Sequence, residues 1–359
     1  QRGRNLFSWE ISTGQTTQLT NFVNEPASEF KKNGTRAEEW LAKEQFQYID
    51  VLRERNEKNE ARKKYNELHK RDELRKLYTE NKQLSGLTIS PDGRNIGYKL
   101  FAPPTGGRGT IVPDYVTESG FTTDIPGRKK VGEPQGMTSF FIYDRGLDTV
   151  FQIAIDKLEG IREIPEFYKD YPSEYDSMKK KNQIKPVNFG FFSTWSSDGT
   201  YLLFDARSQD NKDRWILLWD AQQHELIQAD HQHDEAWIGG PGMYNLGWIN
   251  DHTIYFQSEK SGYAHLYIYD ITKRSTRQLT EGKYEVQSAS LSPDKKYFFI
   301  TTNEIEPGQT QFYKLDISNG MQHRITTMTG GNDVTVSPDG KNLAILYSYS
   351  NKPWELSLQ

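Results

Sequence analysis

The chain has 359 residues, and 45 Lys and Arg against 49 Asp and Glu give a net charge of −4 at pH 7. Nucleic acids and anionic membranes are bound through clustered positive charge, so this balance argues against both as partners. The chain has no Cys, which excludes disulfides, thiolate chemistry and Cys-ligated zinc. No apolar run reaches the roughly 18 residues that a membrane-spanning helix needs.

The first segment, residues 1–20, predicts two short strands that end at Leu19 and Thr20. It has neither an initiating Met nor the apolar core of a signal peptide. We therefore expect the chain to be a fragment of a longer protein.

Residues 21–83 predict a charge-dense helical insertion. Thr35 and Glu38 have the spacing of a capping box, and residues 35–82 are expected to be mainly helical. A wholly polar stretch at residues 53–60 predicts either one long helix or two helices joined there, packed by one narrow apolar face. A solvated helix lying over the rest of the fold is favoured over an arm that binds a partner. The expected apolar positions are Trp40, Leu41, Tyr48, Ile49, Leu52, Tyr65, Leu68, Leu74, Leu77 and Tyr78.

Two alternating signatures fill the rest of the chain. One is a strand, an acidic turn and a polar strand that ends near Leu-Thr, as at Leu279 and Thr280. The other is a Ser-Pro-Asp-Gly-like turn between two strands, in which Pro presets φ and Gly takes positive φ. Clear copies of this turn begin at Ser90, Ser196, Ser292 and Ser337, and a degenerate copy lies at Asn250 and Asp251. A spacing of about 45 residues is the period of a four-stranded propeller blade.

The predicted fold is therefore an all-β propeller of four-stranded antiparallel blades over residues 84–359, as a partial or truncated ring. An irregular, partly helical insertion is expected at about 160–188. Residues 1–20 are expected to be the outer strands of a first partial blade. Two ways of closing the ring stay open: either residues 4–20 supply the missing strand or further blades precede the chain. Four blades are expected at about 84–156, 189–230, 243–281 and 285–327, before a partial blade at about 331–359 that stops after its third strand.

Catalytic signatures are missing from the sequence. No Gly is followed two positions later by Ser, so there is no nucleophile elbow, and no phosphate-binding loop occurs. No catalytic residue and no cofactor are therefore expected. In the cluster of His231, His233 and Asp234, the two imidazoles could be metal ligands on one strand face, but no third ligand stands at a recognisable spacing, so a polar loop is expected and no metal. Residues 210–213 predict a hairpin turn and not a calcium loop.

Several motifs resemble the propeller of the dipeptidyl peptidase IV-like family. Residues 258–267 resemble its S-E-x-x-G-x-x-H-[LI]-Y signature, from Ser258 to Tyr267. Residues 280–286 resemble its T-x-G-x-W-E-V segment, with Tyr284 in place of Trp. Residues 130–134 resemble its K-x-G-x-x-N-P segment, and residues 213–215 fall at a polar-aromatic strand of the family. The resemblance covers most of residues 84–359.

This resemblance implies a propeller that covers an α/β-hydrolase domain carrying a Ser-Asp-His triad, which would follow Gln359. The whole protein would be a periplasmic or extracellular serine exopeptidase that removes N-terminal dipeptides from peptide substrates, and a homodimer is compatible with it. The alternative is a non-catalytic propeller that acts as a binding or scaffold module. The reading frame beyond Gln359 distinguishes the two, because a Gly-x-Ser-x-Gly followed by Asp and His supports the peptidase.

The resemblance also implies where substrate binds. The family holds the substrate's N-terminal ammonium with paired Glu residues in a helical insertion, and here Glu38 and Glu39 stand in an insertion at the corresponding place. Paired carboxylates suit a cationic amine. The pattern departs in that Trp40 follows the acids instead of preceding them. Trp237 lies in a loop, residues 237–241, where the family presents a substrate-facing segment.

Overall fold

A computed structural model describes residues 3–24, 35–68, 74–130 and 132–359. The chain divides into two compact units, residues 1–84 and residues 85–359.

The first unit combines short strands with two helices. Strands β1 and β2 form an antiparallel hairpin, whereas β3 and β4 pair in parallel although more than 50 residues separate them. Phe22 and Leu77, on β3 and β4, are buried. The elements are β1 (Phe7–Trp9), β2 (Thr16–Gln18), β3 (Asn21–Val23), α1 (Arg36–Tyr48), α2 (Asp50–Leu68) and β4 (Lys76–Tyr78).

The helices begin as predicted but end and pack differently. The capping box is confirmed, because the Thr35 side chain accepts from the Glu38 N–H while the Glu38 carboxylate accepts from the Thr35 N–H. The predicted joint at residues 53–60 is wrong: the break lies at Ile49, which has extended backbone. The described residues of 35–82 are mainly helical, as predicted, but the helical segment does not reach residue 82, since residues 76–78 form β4.

The predicted packing of an apolar helical face is wrong for most of the described side chains. Trp40, Leu41, Ile49, Tyr65 and Leu68 are all exposed. A helix with this many charged residues gains its stability from local capping and ion pairs as well as from packing.

The predicted four-stranded antiparallel sheets are confirmed in the second unit. In blade 1 the spatial order is β10-β9-β6-β5, and β7 and β8 form a separate hairpin between β6 and β9, which the sequence did not predict. The strands are β5 (Gln83–Ile89), β6 (Asn95–Ala102), β7 (Thr110–Asp114), β8 (Thr123–Gly127), β9 (Met137–Asp144) and β10 (Thr149–Gln152).

Blade 2 follows the second insertion, which contains a 3₁₀ helix at Glu166–Asp170 and helix α3 (Pro172–Lys181). Blades 2, 3 and 4 are simple meanders, with each strand next to its sequence neighbours. Blade 2 is β11 (Val187–Trp195), β12 (Tyr201–Ser208), β13 (Asp213–Asp220) and β14 (Glu225–His233). Blade 3 is β15 (Leu246–Asn250), β16 (Thr253–Ser258), β17 (His265–Asp270) and β18 (Ser275–Gln278).

Blade 4 is followed by a sheet of three strands, as the sequence predicted. The strands of blade 4 are β19 (Val286–Leu291), β20 (Tyr297–Thr302), β21 (Gln311–Asp316) and β22 (Gln322–Arg324). The three-stranded sheet is β23 (Gly331–Val336), β24 (Leu343–Tyr349) and β25 (Lys352–Leu358).

The Ser-Pro-Asp-Gly-like turns join the first two strands of a sheet. In the turn after β11, Ser196 Oγ donates to Asp198 at 2.6 Å and accepts the N–H of Tyr201 at 3.0 Å. The turns at Ser90, Ser292 and Ser337 repeat both hydrogen bonds. The fourth residue has positive φ in each, even where it is Lys295. The turn chemistry that the sequence repeats therefore sets the start of each sheet.

Neighbouring blades pack face to face. On β12, Leu202 and Phe204 lie in an apolar cluster with Phe140 of blade 1. The intervening Leu203 lies in a second cluster with Phe256 of blade 3. A third cluster joins blades 3 and 4. Because side chains alternate along a strand, each middle blade buries both of its faces, as propeller blades do.

Candidate functional site

A cleft opens at one end of blades 2 and 3. Its walls are the loop at residues 234–242, which connects β14 to β15, and the residues that follow β16. It is a small cleft, with a volume of about 60 Å³, and it opens to solvent. Trp237 on the loop and Glu259 after β16 are among its lining residues, so the cleft has an aromatic wall and an acidic wall.

Hydrogen bonds to the backbone N–H groups of the loop hold it in place. The Asp234 carboxylate accepts the N–H groups of Ala236 at 2.7 Å and Trp237 at 3.1 Å. The Ile238 N–H donates to the Asn211 carbonyl at 2.7 Å. The Trp237 side chain is 73% exposed. The structure therefore places the predicted residue Trp237 on a loop with a fixed backbone. Its indole is exposed and can contact a ligand.

Gly240 permits a close approach between the loop and Glu259. Its φ is +84°, and a Cβ there would lie 2.1 Å from Glu259 Oε1. The positive φ favours Gly at this position, and any larger residue would require the Glu259 side chain to move.

Glu259 supplies negative charge to the cleft. Burial raises the pKa of Glu259, and the neighbouring carboxylates of Glu285 and Asp234 raise it further. Among the residues that the structure describes, no Lys or Arg forms an ion pair with Glu259. The adjacent Lys260 pairs instead with Asp230, with Nζ 2.8 Å from Oδ1. A partly buried carboxylate beside like charges gains from binding a cation, such as a protonated amine.

A second polar cluster lies at the start of the same loop. The buried Asp213 Oδ1 lies 2.9 Å from His231 Nε2 and 2.7 Å from His233 Nδ1, and Lys185 Nζ lies 2.5 Å from Asp213 Oδ2. Burial alone would raise the pKa of Asp213, but hydrogen bonds from His231, Lys185 and His233 outweigh it and lower the pKa to about 2. Sequence reasoning found the two His and missed Asp213, although the pairing of β13 with β14 places it opposite His233.

The His of the recognised motif has a structural role. His265 is buried, with Nδ1 2.9 Å from Thr280 Oγ1 and Nε2 3.0 Å from the Gly282 carbonyl. Since Thr280 Oγ1 accepts the Leu266 N–H, its own hydrogen is free to go to Nδ1, and Nε2–H donates to Gly282. The imidazole thus ties β17 to the segment after β18.

The predicted Glu pair lies in the first unit. Glu38 occupies the third position of α1, and its Oε2 accepts from the Thr35 N–H at 2.7 Å and from the Thr35 hydroxyl at 3.0 Å. These hydrogen bonds lower the pKa of Glu38. The Glu39 side chain lies outside the described part of the chain. The binding role of both residues stays a prediction.

None of the described helices is both long enough and apolar enough to cross a bilayer.

Comparisons with known proteins agree with this architecture. Residues 192–354 match the family model described as the dipeptidyl peptidase IV (DPP IV) N-terminal region. The structure is similar to the crystal structure of Porphyromonas gingivalis dipeptidyl peptidase 4, with a TM-score of 0.57 and 15% sequence identity. The alignment covers 76% of this chain and 35% of that one, so the chain spans about a third of that protein's length. At this identity the likeness shows the fold.

Proposed function

We propose that this chain, which is similar to the dipeptidyl peptidase IV N-terminal region over residues 192–354, is the substrate-gating propeller of a serine exopeptidase that removes N-terminal dipeptides from peptides. The chemistry belongs to an α/β-hydrolase domain of the same protein, with Ser as nucleophile, His as proton shuttle and Asp orienting the His. The proposal places the protein in the periplasm or outside the cell.

The observation that carries the proposal is the cleft between Trp237 and Glu259. It lies within the region that matches the family model, and it combines an exposed aromatic side chain with an acidic wall. A peptide with a free N-terminus offers both matching groups, an ammonium and apolar side chains. Trp237 would contact the peptide, and Glu259 would favour its positive end.

Glu38 and Glu39 are the second proposed contact. Paired carboxylates bind an ammonium through charge-assisted hydrogen bonds. In this proposal Glu38 combines two tasks, since it also closes the capping box of α1.

The proposal is tested with a chromogenic Xaa-Pro peptide that has a free N-terminus. The longer protein is expected to cleave it, and the 359-residue chain alone is expected not to, because nothing in its sequence holds a Ser on a strained strand-to-helix turn. Turnover by the chain alone would refute the assignment of the chemistry to another domain. A reading frame that ends within one blade of Gln359 would favour the scaffold module instead.

The binding residues are tested separately in the longer protein. Trp237→Ala is expected to raise KM with little change in kcat, which is the signature of lost ground-state binding. Glu38→Gln with Glu39→Gln is expected to raise KM more, and Gln at position 38 still serves a capping box. The matched control is Glu54→Gln with Glu57→Gln on α2. An unchanged KM in the Glu38→Gln, Glu39→Gln variant would contradict the proposed Glu contact but not the peptidase assignment.

A further inference from the structure

The cluster around Asp213 has the arrangement of a metal site. His231 and His233 are two positions apart on β14, so both imidazoles lie on the same face of the sheet. Asp213 is the direct cross-strand partner of His233 on β13. One ligand atom from each of the three residues lies within 4.8 Å of the other two.

A β-bulge creates this arrangement. The pairing of β13 with β14 shifts by one residue between Ile216 and Leu217, which leaves Ala229 without a partner. Without this extra residue, Gln232 would stand opposite Asp213, and both His would point to the other face. Bulges re-aim side chains and are over-represented beside functional sites.

The imidazole of His231 is fixed in place. It stacks on Trp215 with ring centroids 5.3 Å apart and an interplanar angle of 3°. On Gly160 a Cβ would lie 2.5 Å from His231 Cε1, so the backbone of residue 160 closes against the ring. Trp215 is itself held, because its indole N–H donates to the Glu159 carbonyl at 2.7 Å. The His231 side chain therefore loses little conformational freedom when it binds an ion.

Groups around the cluster match the outer shell of a metal site. His233 faces Asp213 with Nδ1 and faces Glu235 Oε1 with Nε2, at 3.2 Å. Metal-bound His usually donates its other ring N–H to a carboxylate or carbonyl. Lys185 does not belong to this shell: it pairs with the Oδ2 atom of Asp213, so its ammonium competes with a metal ion for the carboxylate but does not occupy the Oδ1 atom that faces the two imidazoles.

We propose that Asp213 Oδ1, His231 Nε2 and His233 Nδ1 bind a divalent transition-metal ion such as Zn²⁺. Two His and one carboxylate form a common three-ligand set for zinc, with the fourth position left to water. Each imidazole binds as the neutral tautomer that carries its proton on the other ring nitrogen, which for His233 is the nitrogen facing Glu235. Metal–ligand bonds of about 2.0–2.2 Å require each nitrogen to move about 0.5 Å away from Oδ1.

The ion would stabilise one wall of the cleft. His233 and Asp234 line the cleft and begin the loop that carries Trp237. Binding at His233 therefore fixes the start of this loop against blade 2. This inference does not depend on the proposed peptidase function.

The test is a calorimetric titration of the metal-free 359-residue chain with ZnCl₂. We expect one ion per chain and, with Co²⁺ in place of Zn²⁺, the visible absorption of a four-coordinate site. His231→Ala with His233→Ala should weaken binding by at least tenfold, since even outer-shell changes cost about 10–100-fold. His323→Ala, at an exposed His on β22, is the matched control and should bind as the original chain does.

A variant at Lys185 separates the metal site from a purely ionic cluster. If Asp213 forms only an ion pair with Lys185 and binds no metal, the original chain takes up no Zn²⁺. This result would overturn the proposal. If the metal site exists, Lys185→Gln should bind Zn²⁺ more tightly because a competing ammonium is removed. Equal Zn²⁺ affinity in the original chain and in the double His variant would also overturn it. The Co²⁺ spectrum of the original chain decides the matter if the variants do not fold.

Discussion

Strand β13 of blade 2 and helix α2 of the first unit are both rich in charged residues, yet every residue of β13 is buried and nearly all of α2 is exposed. On β13 the charges are paired across strands, as where Arg214 Nε lies 3.2 Å from Asp205 Oδ2 on β12. On α2 the pairs are local, as between Lys58 and Glu54. The same residue types therefore contribute to tertiary structure in one region and only to local structure in the other.

The comparison predicts its largest effect at Trp215. This side chain is fully buried between blades 1 and 2, so Trp215→Ala removes many contacts and leaves a cavity. We expect a loss of about 3–5 kcal/mol in the free energy of unfolding, measured by urea denaturation. Leu68→Ala at the exposed end of α2 should change it by less than about 0.5 kcal/mol. Equal effects at the two positions would contradict the comparison.

A buried Lys predicts a pH dependence of stability. Lys99 lies inside the second unit over the Phe140 ring, its ammonium donates to the Gly190 carbonyl, and burial lowers the pKa of Lys99 to about 8. In the unfolded chain the pKa is about 10.4, so the unfolded state binds more protons between these values and stability rises with pH across this window. The gain is at most about 3 kcal/mol.

Denaturation at pH 7 and at pH 10 measures this gain, and Lys99→Met isolates it from other groups that titrate there. The variant should lose the part of the increase that belongs to Lys99. The same rise with pH in the variant would contradict the buried ammonium. Lys58→Met on α2 provides the matched exposed control.

Close packing of backbone against a buried carboxylate predicts a smaller effect at Gly190. A Cβ at this position would lie 1.8 Å from Asp205 Oδ1, and Arg214 restrains the Asp205 side chain. Gly190→Ala is expected to lower the free energy of unfolding by about 1–3 kcal/mol. At Gly239 a Cβ would meet nothing within 4 Å, so Gly239→Ala is the control. An unchanged free energy of unfolding in both variants would contradict the close contact between the Gly190 backbone and the Asp205 carboxylate.

The smallest effect is expected from salt. The ion pairs of α2, such as Lys63 with Glu60, lie on exposed side chains and are screened in 1 M NaCl. Each should contribute no more than about 0.5 kcal/mol, seen as a small loss of helical circular dichroism. A large loss of helix in salt would mean that these ion pairs contribute much more to α2 than exposed pairs usually do.

Local patterns explain why the blades were predictable. The turns that begin at Ser196 and Ser337 carry their own hydrogen bonds and positive φ, so their sequence alone indicates the hairpin. The capping box at Thr35 is local in the same way. The end of α2 was not predictable, because Leu77 is buried in a strand that pairs in parallel with β3, more than 50 residues earlier.

The site was less predictable than the fold for the same reason. Trp237 was found through the position of its loop in the family resemblance, but the acidic wall at Glu259 follows β16 and meets the loop at Gly240 only in the folded chain. Asp213 joins His231 and His233 only because a bulge at Ala229 shifts the register, and counting from the hairpin turn would have placed Gln232 opposite Asp213. Nothing local in the sequence marks that bulge.

We propose that this chain gates a peptidase that requires a free peptide N-terminus. The most direct measurement is the ratio of kcat/KM for one Xaa-Pro chromogenic peptide with a free amine to that for its N-acetylated form, using the longer protein. We expect a ratio of at least about 100, because a carboxylate site that loses its charged partner gives up about 3 kcal/mol or more. Equal cleavage of the two peptides, or cleavage of neither, would contradict the account.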